Sequence, residues 1–173
     1  MKILIAFFSR ADENYFGGAY RYIKVGNTEI VANQIKDLTG ADSFKIDMKL
    51  PYSANYNTCI EQAKTDKNNS ARPELAKELG SIDDYDTIIL MYPNYWGTCP
   101  MAVFTFLEKY DFTGKTILPL CTHEGSGMGV SESDIAKITK GATLKKGLAI
   151  NGSTVNSAKP TVEKWLKQNQ IID

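Results

Sequence analysis

The chain has 173 residues, 20 Lys+Arg against 20 Asp+Glu, and a formal net charge of zero. With 43% hydrophobic and 23% charged residues it has an ordinary globular composition, enough for one domain over 1–173 with a full core. The zero balance argues against a nucleic-acid or membrane-surface binder, and three scattered cysteines, Cys59, Cys99 and Cys121, make neither a disulfide framework nor a zinc spacing. A reducing, cytoplasmic setting is expected.

In chain order, the first apolar run, Ile3 to Phe8, is too short for a secretory core of about 7–15 residues or a spanning helix of about 20. It reads as a strand buried on both faces. Asn27 to Leu38 places Ile30, Val31, Ile35 and Leu38 on one helical stripe. Asp42 to Ile46 reads as a short strand, and Asp47 to Asn69 as a loop followed by a helix near Thr58–Lys67. Pro73 and Gly80 bracket a short predicted helix, with Pro in the first turn and Gly past the end. Asp86 to Tyr92 is a second buried strand. Pro100 opens a helix through Tyr110 with Val103, Phe104 and Leu107 facing inward. Thr116 to Cys121 is a strand, Ser131 to Lys140 a helix, Leu144 to Ile150 a strand, and Pro160 to Gln168 a helix striped by Val162, Trp165 and Leu166.

Five strands alternating with helices predict an α/β fold: a doubly wound parallel sheet between two helical layers. Ligands in such folds bind outside the carboxyl ends of the strands, so the loops there carry the functional question. After the first strand come Ser9-Arg10 and, further on, Gly26-Asn27-Thr28-Glu29 at a helix start. Two readings fit, a phosphate cradle of exposed N–H groups and small hydroxyls, or an ordinary helix cap. After the third strand, Tyr92-Pro93-Asn94-Tyr95-Trp96-Gly97-Thr98 opens a stretch without charge through Leu107. It reads as a platform for a planar ligand, or as a turn that packs into the core. After the fourth, Thr122-His123-Glu124-Gly125-Ser126-Gly127 lets backbone approach a ligand, or forms a flexible surface loop.

Competing motifs fail on inspection. Val130 replaces the third glycine of a dinucleotide fingerprint, and Lys109 stands where a phosphate-binding loop before Gly114-Lys115-Thr116 needs its first glycine. Glu124 two residues before Ser126 breaks a nucleophile elbow, and His123 is the only histidine. No His/Cys cluster supports a metal centre.

Taken together, these loops resemble those of the flavodoxin family, in particular short-chain members with a Trp in the second flavin loop. Ser9-Arg10 and Gly26-Asn27-Thr28 resemble the two ends of its phosphate loop, with residues 11–24 inserted between them and Val25 where Thr is usual. The segment from Pro93 to Gly129 (PNYWGTCPMAVFTFLEKYDFTGKTILPLCTHEGSGMG) carries the closest resemblance. The resemblance implies sheet order 2-1-3-4-5, no long insertion in the last strand, and FMN as cofactor. It implies that Ser9, Asn27 and Thr28, with Gly26 and Arg10, hold the phosphate. Pro93, Asn94, Tyr95, Trp96 and Gly97 would border the flavin ring, and Thr122, His123, Glu124, Gly125, Ser126 and Gly127 its polar edge. The insertion, with Tyr15, Tyr20 and Tyr22, alternatively lies over the site and screens the flavin.

The implied function is a low-potential electron carrier between a reductase and an acceptor enzyme, as a monomer or weak dimer. The alternative is an FMN-dependent NAD(P)H or quinone oxidoreductase acting on a small planar substrate. The neutral charge departs from the acidic flavodoxin norm and favours the alternative; the lack of a nicotinamide motif favours the carrier.

Overall fold

A computed structural model describes residues 1–173. Its elements, in order, are β1 (Ile3–Phe7), β2 (Asp12–Phe16), β3 (Ala19–Ile23), α1 (Asn27–Thr39), β4 (Asp42–Lys45), α2 (Tyr56–Asn68) and β5 (Thr87–Pro93). There follow α3 (Met101–Lys109), β6 (Thr116–His123), α4 (Ser131–Ile138), β7 (Thr143–Leu144), β8 (Leu148–Asn151), a 3-10 turn over Gly152–Ser157, and α5 (Lys159–Gln168). No helix is long and apolar enough to cross a membrane.

The main sheet runs β4-β1-β5-β6, with β7 and β8 both pairing the far side of β6, all parallel. Counting β7 and β8 as one broken strand, this is the predicted order 2-1-3-4-5. The continuous apolar runs of β1 and β5 serve both faces because successive side chains alternate. Leu4, Ala6, Ile88, Leu90 and Tyr92 pack with α3 and α4 through Val103, Phe106 and Ile135. Ile5, Phe7, Ile89 and Met91 pack against α1 and α5 through Val31, Ile35, Val162 and Leu166. α2 contributes to neither of these clusters.

Two local expectations give way, and the inserted segment, for which no element was expected, forms a hairpin. The Pro73–Gly80 segment is not helical: Leu75 bridges Met48, and the Lys49 and Ala76 N–H groups donate to the Glu74 and Asp47 carbonyls. Pairing with a neighbouring extended segment outweighs the local Pro and Gly signals. Residues 12–23 form an antiparallel hairpin turning at Gly17-Gly18, both at positive φ (59° and 77°). A two-residue turn of this kind matches strand twist, and glycine accepts it without steric cost.

The last strand is broken rather than continuous from Leu144 to Ile150. Between the pairs Ile117↔Leu144 and Leu120↔Leu148, two residues of β6 face three of the outer strand. One of the two is Pro119, which has no N–H for a ladder. Opposite it the Gly147 N–H leaves the sheet to donate to Glu132 Oε1 at 2.7 Å. The extra residue is a bulge.

Candidate functional site

Beyond the carboxyl ends of β1, β5 and β6 lies a cavity of about 470 Å³. It sits at the crevice beside β1 and β5, where successive crossovers leave the sheet in opposite directions.

One end is built from Ser9, Asn27 and Thr28. α1 starts here at Gly26, which has no side chain with which to cap it, so the Asn27 and Thr28 N–H groups at the positive end of its dipole remain for a ligand. Ser9 Oγ accepts from the Glu29 N–H at 3.1 Å, and Thr28 Oγ1 shares a 2.7 Å hydrogen bond with Thr122 Oγ1. Lys45 pairs with the Glu29 carboxylate at 2.9 Å, so that charge does not oppose an anion alone. Arg10 lines the cavity; its two terminal nitrogens donate to the carbonyls of Glu13, Ser53 and Ala54, while its buried Nε has no protein partner.

The other end is aromatic. Trp96, 42% exposed and at φ 55°, is pinned from both sides of its backbone and ring. Its Nε1 donates to the Ile60 carbonyl at 2.8 Å, Lys67 Nζ donates to its carbonyl at 2.6 Å, and the Lys64 ammonium sits 5.1 Å from the ring centroid. Tyr95 meets Phe8 edge-to-face at 5.8 Å. Burial holds the Tyr95 hydroxyl well above its usual pKa and raises the Cys59 thiol beside it.

Asn94 clamps the second loop to the third. Its Nδ2 donates to the Gly127 carbonyl and its Oδ1 accepts from the Gly97 N–H, both at 2.9 Å. The Val130 N–H then donates to the Gly97 carbonyl at 2.8 Å. Gly129 is required beneath this contact, because a Cβ there would lie 2.1 Å from the Gly97 oxygen. In the third loop, His123 Nδ1 accepts from the Gly125 N–H at 2.9 Å, and Glu124 Oε2 accepts from the Gly17 N–H at 3.0 Å.

Thirteen of the sixteen residues singled out from sequence line this one cavity: Ser9, Arg10, Asn27, Thr28, Pro93, Asn94, Tyr95, Trp96, Gly97, Thr122, His123, Glu124 and Ser126. Gly26, Gly125 and Gly127 do not. Gly26 lies behind the wall, where a Cβ would sit 2.2 Å from Ser9 Oγ, and Gly127 presents its carbonyl to Asn94. Of the insertion tyrosines expected over the site as an alternative, Tyr15 lines the cavity and Tyr20 and Tyr22 do not. Sequence reasoning missed Asn14 of the hairpin, Gly152, and a wall of Tyr56, Cys59, Ile60 and Ala63 from α2. The Gly17-Gly18 pair between aromatic runs signals the hairpin. The α2 wall had no such signal, since a buried helical stripe reads as core.

The residues present suit a long ligand with an anionic group at one end and a flat ring at the other. No curated protein matches the chain. Among solved structures, it is similar to a candidate flavoprotein from Bacteroides eggerthii, at 25% identity and TM-score 0.77, with 96% of each chain covered. A second candidate flavoprotein, from Bacteroides uniformis, is 26% identical, with TM-score 0.75 and 96% of this chain and 97% of that one covered. A flavoprotein from Lactobacillus acidophilus, solved in complex with FMN, shares the fold at 17% identity and TM-score 0.63, with 90% and 97% covered. The family model described as flavodoxin matches residues 18–169. By sequence and by fold, the chain belongs to the flavodoxin family.

Proposed function

We propose that this protein binds FMN and acts as a low-potential electron carrier between a reductase and an acceptor enzyme in the cytoplasm. The observation that carries the reading is the two-ended cavity. It joins the start of α1, with Ser9, Asn27 and Thr28, to the wall made by Trp96 and Tyr95. FMN-bound structures of the same fold support the choice of ligand. When bound, FMN supplies the electron-accepting chemistry, and the protein supplies orientation and electrostatics.

The chain's own residues divide that work. The α1 terminus and its hydroxyls bind the phosphate, and the Asn94 clamp fixes the two loops that border the ring. Tyr56, Cys59, Ile60, Ala63 and Tyr95 wall the ring end with uncharged side chains, and the Lys64 and Lys67 ammoniums stand at the Trp96 rim. The low-dielectric wall disfavours added negative charge against the ring, which supports a low potential, while the solvent-screened rim ammoniums act weakly in the other direction. Trp96, half-exposed at the rim, leaves that end near the surface, where an electron passes to a docked protein.

An anaerobic absorbance titration tests the reading. The FMN-supplemented protein is desalted, then treated with NADPH, NADH and finally dithionite. A flavin spectrum that persists and is bleached only by dithionite is expected. Loss of flavin on desalting overturns the cofactor, and rapid bleaching by a nicotinamide replaces the carrier with an NAD(P)H-dependent oxidoreductase.

A further inference from the structure

The β2–β3 hairpin joins the main sheet nowhere; its two strands pair only with each other. Its base is pinched where Gly26 passes against Ser9 and Arg10, too close for a Cβ. Arg10 fixes that end to the carbonyls of Glu13, Ser53 and Ala54. From there the hairpin crosses the cavity, with Asn14 and Tyr15 lining it from above. Its flank rests on α2 through Tyr15, Tyr20 and Tyr56, whose ring centroids lie 5.4 to 6.2 Å apart, and Tyr20 donates to Asn57 Oδ1 at 3.2 Å.

The tip has one polar anchor on the far rim, the Gly17 N–H on Glu124 Oε2. Glu124 in turn lies against Gly152: a Cβ there would be 2.4 Å from Glu124 Oε1, 2.7 Å from Asn27 Nδ2 and 3.4 Å from Phe16 Cβ. Hairpin tip, Glu124 and the Asn27 that opens α1 therefore meet at one point, over the anion-binding end. An isolated two-stranded hairpin is marginally stable, so a tip held by one exposed hydrogen bond opens before a base held by many.

We propose that the hairpin is a strap over the anion-binding end, and that its tip must release Glu124 before a phosphate-bearing flavin enters or leaves. The proposal rests on the FMN reading of the site and adds what sets the rate of exchange.

A reversible lock tests it. An ideal Cβ on Gly17 lies 3.6 Å from Ser153 Cβ, inside the range of about 3.5–4.5 Å that a disulfide spans. Cys59, Cys99 and Cys121 are buried and do not compete. The Gly17→Cys/Ser153→Cys protein, oxidised, should take up and release FMN slower by on the order of tenfold or more than the same protein reduced with dithiothreitol, as read by flavin fluorescence. The reduced form carries the same backbone strain at position 17 and is the control. Equal rates in the two forms overturn the strap.

Tyr20→Ala gives a second measurement if the double variant does not fold. Tyr20 does not line the cavity, yet its loss frees the hairpin flank from Tyr56 and Asn57. It should release FMN severalfold faster and exchange the Gly17 amide hydrogen faster, the latter in flavin-free protein. Failure of the unaltered chain to take up FMN overturns the cofactor reading instead. The amide exchange then decides the motion alone, and an unchanged Gly17 rate in Tyr20→Ala overturns it.

Discussion

A methyl group at position 26 would land 2.2 Å from Ser9 Oγ and 2.6 Å from the Arg10 carbonyl oxygen, one of them backbone that cannot move freely. Gly26→Ala is therefore expected to lower stability by about 1–3 kcal/mol, read from the urea midpoint, and to weaken FMN binding with it. Trp96→Ala should weaken FMN binding by about 0.5–1.5 kcal/mol beyond the area lost, if the ring packs on the flavin. An unchanged dissociation constant in a fluorescence titration would remove Trp96 from the ring wall. Trp96→Phe separates the ring from its Nε1 bond to Ile60. The thiols give a third outcome. Burial raises Cys59 and Cys99 and pushes Cys121 up to about 12, so all three stay protonated and unreactive near neutral pH. A thiol reagent should react slowly with the native protein and with three groups in denaturant. Ser9, Asn27, Thr28 and Trp96 were legible as site candidates because each lies within a few residues of a strand end or helix start. Cys59 and Ala63 were not, because their place depends on α2 standing off the sheet.

At the scale of elements, the hairpin and α2 stabilise each other. Glu13 Oε1 accepts from the Tyr56 N–H at 2.9 Å, and Asn55 caps the same terminus by accepting from the Thr58 N–H at 3.0 Å. A carboxylate there also meets the positive end of the helix dipole. Asn55→Ala should cost about 0.5–2 kcal/mol in the urea midpoint. Glu13→Gln should cost less, about 0.3–1 kcal/mol, and the difference should shrink in high salt. The helices and buried strands were readable because their periodicity matches their burial. The Pro73–Gly80 segment was misread because its hydrogen bonds go to residues 47 and 49, a partnership that no local pattern encodes. The break between β7 and β8 likewise depends on Pro119 lying opposite it, which only the register reveals.

For the whole molecule, two apolar layers on opposite faces of one sheet bury Tyr92 fully. Tyr95 sits half-buried in the wall of the site, with Tyr52 half-buried behind it, 6.5 Å away between ring centroids. Burial, first, holds all three hydroxyls above their ordinary value of 10.0; Tyr52 is raised further by its bond to Asp66. A raised folded pKa means that the native chain keeps protons the unfolded chain would release. Its stabilising effect is complete below about pH 10 and is lost as pH rises beyond it. Urea midpoints should thus hold up to that point and fall above it, with part of the tyrosinate absorbance appearing only on unfolding. The bulge has a different consequence. It leaves two and four residues of strand on one border of the sheet, separated by Lys145, Lys146 and Gly147, while the other border is the four-residue β4 with Asp42 and Lys45. Neither border offers a long, flat, uncharged ladder to another chain, so the main sheet gives concentrated protein no ready template for cross-β growth.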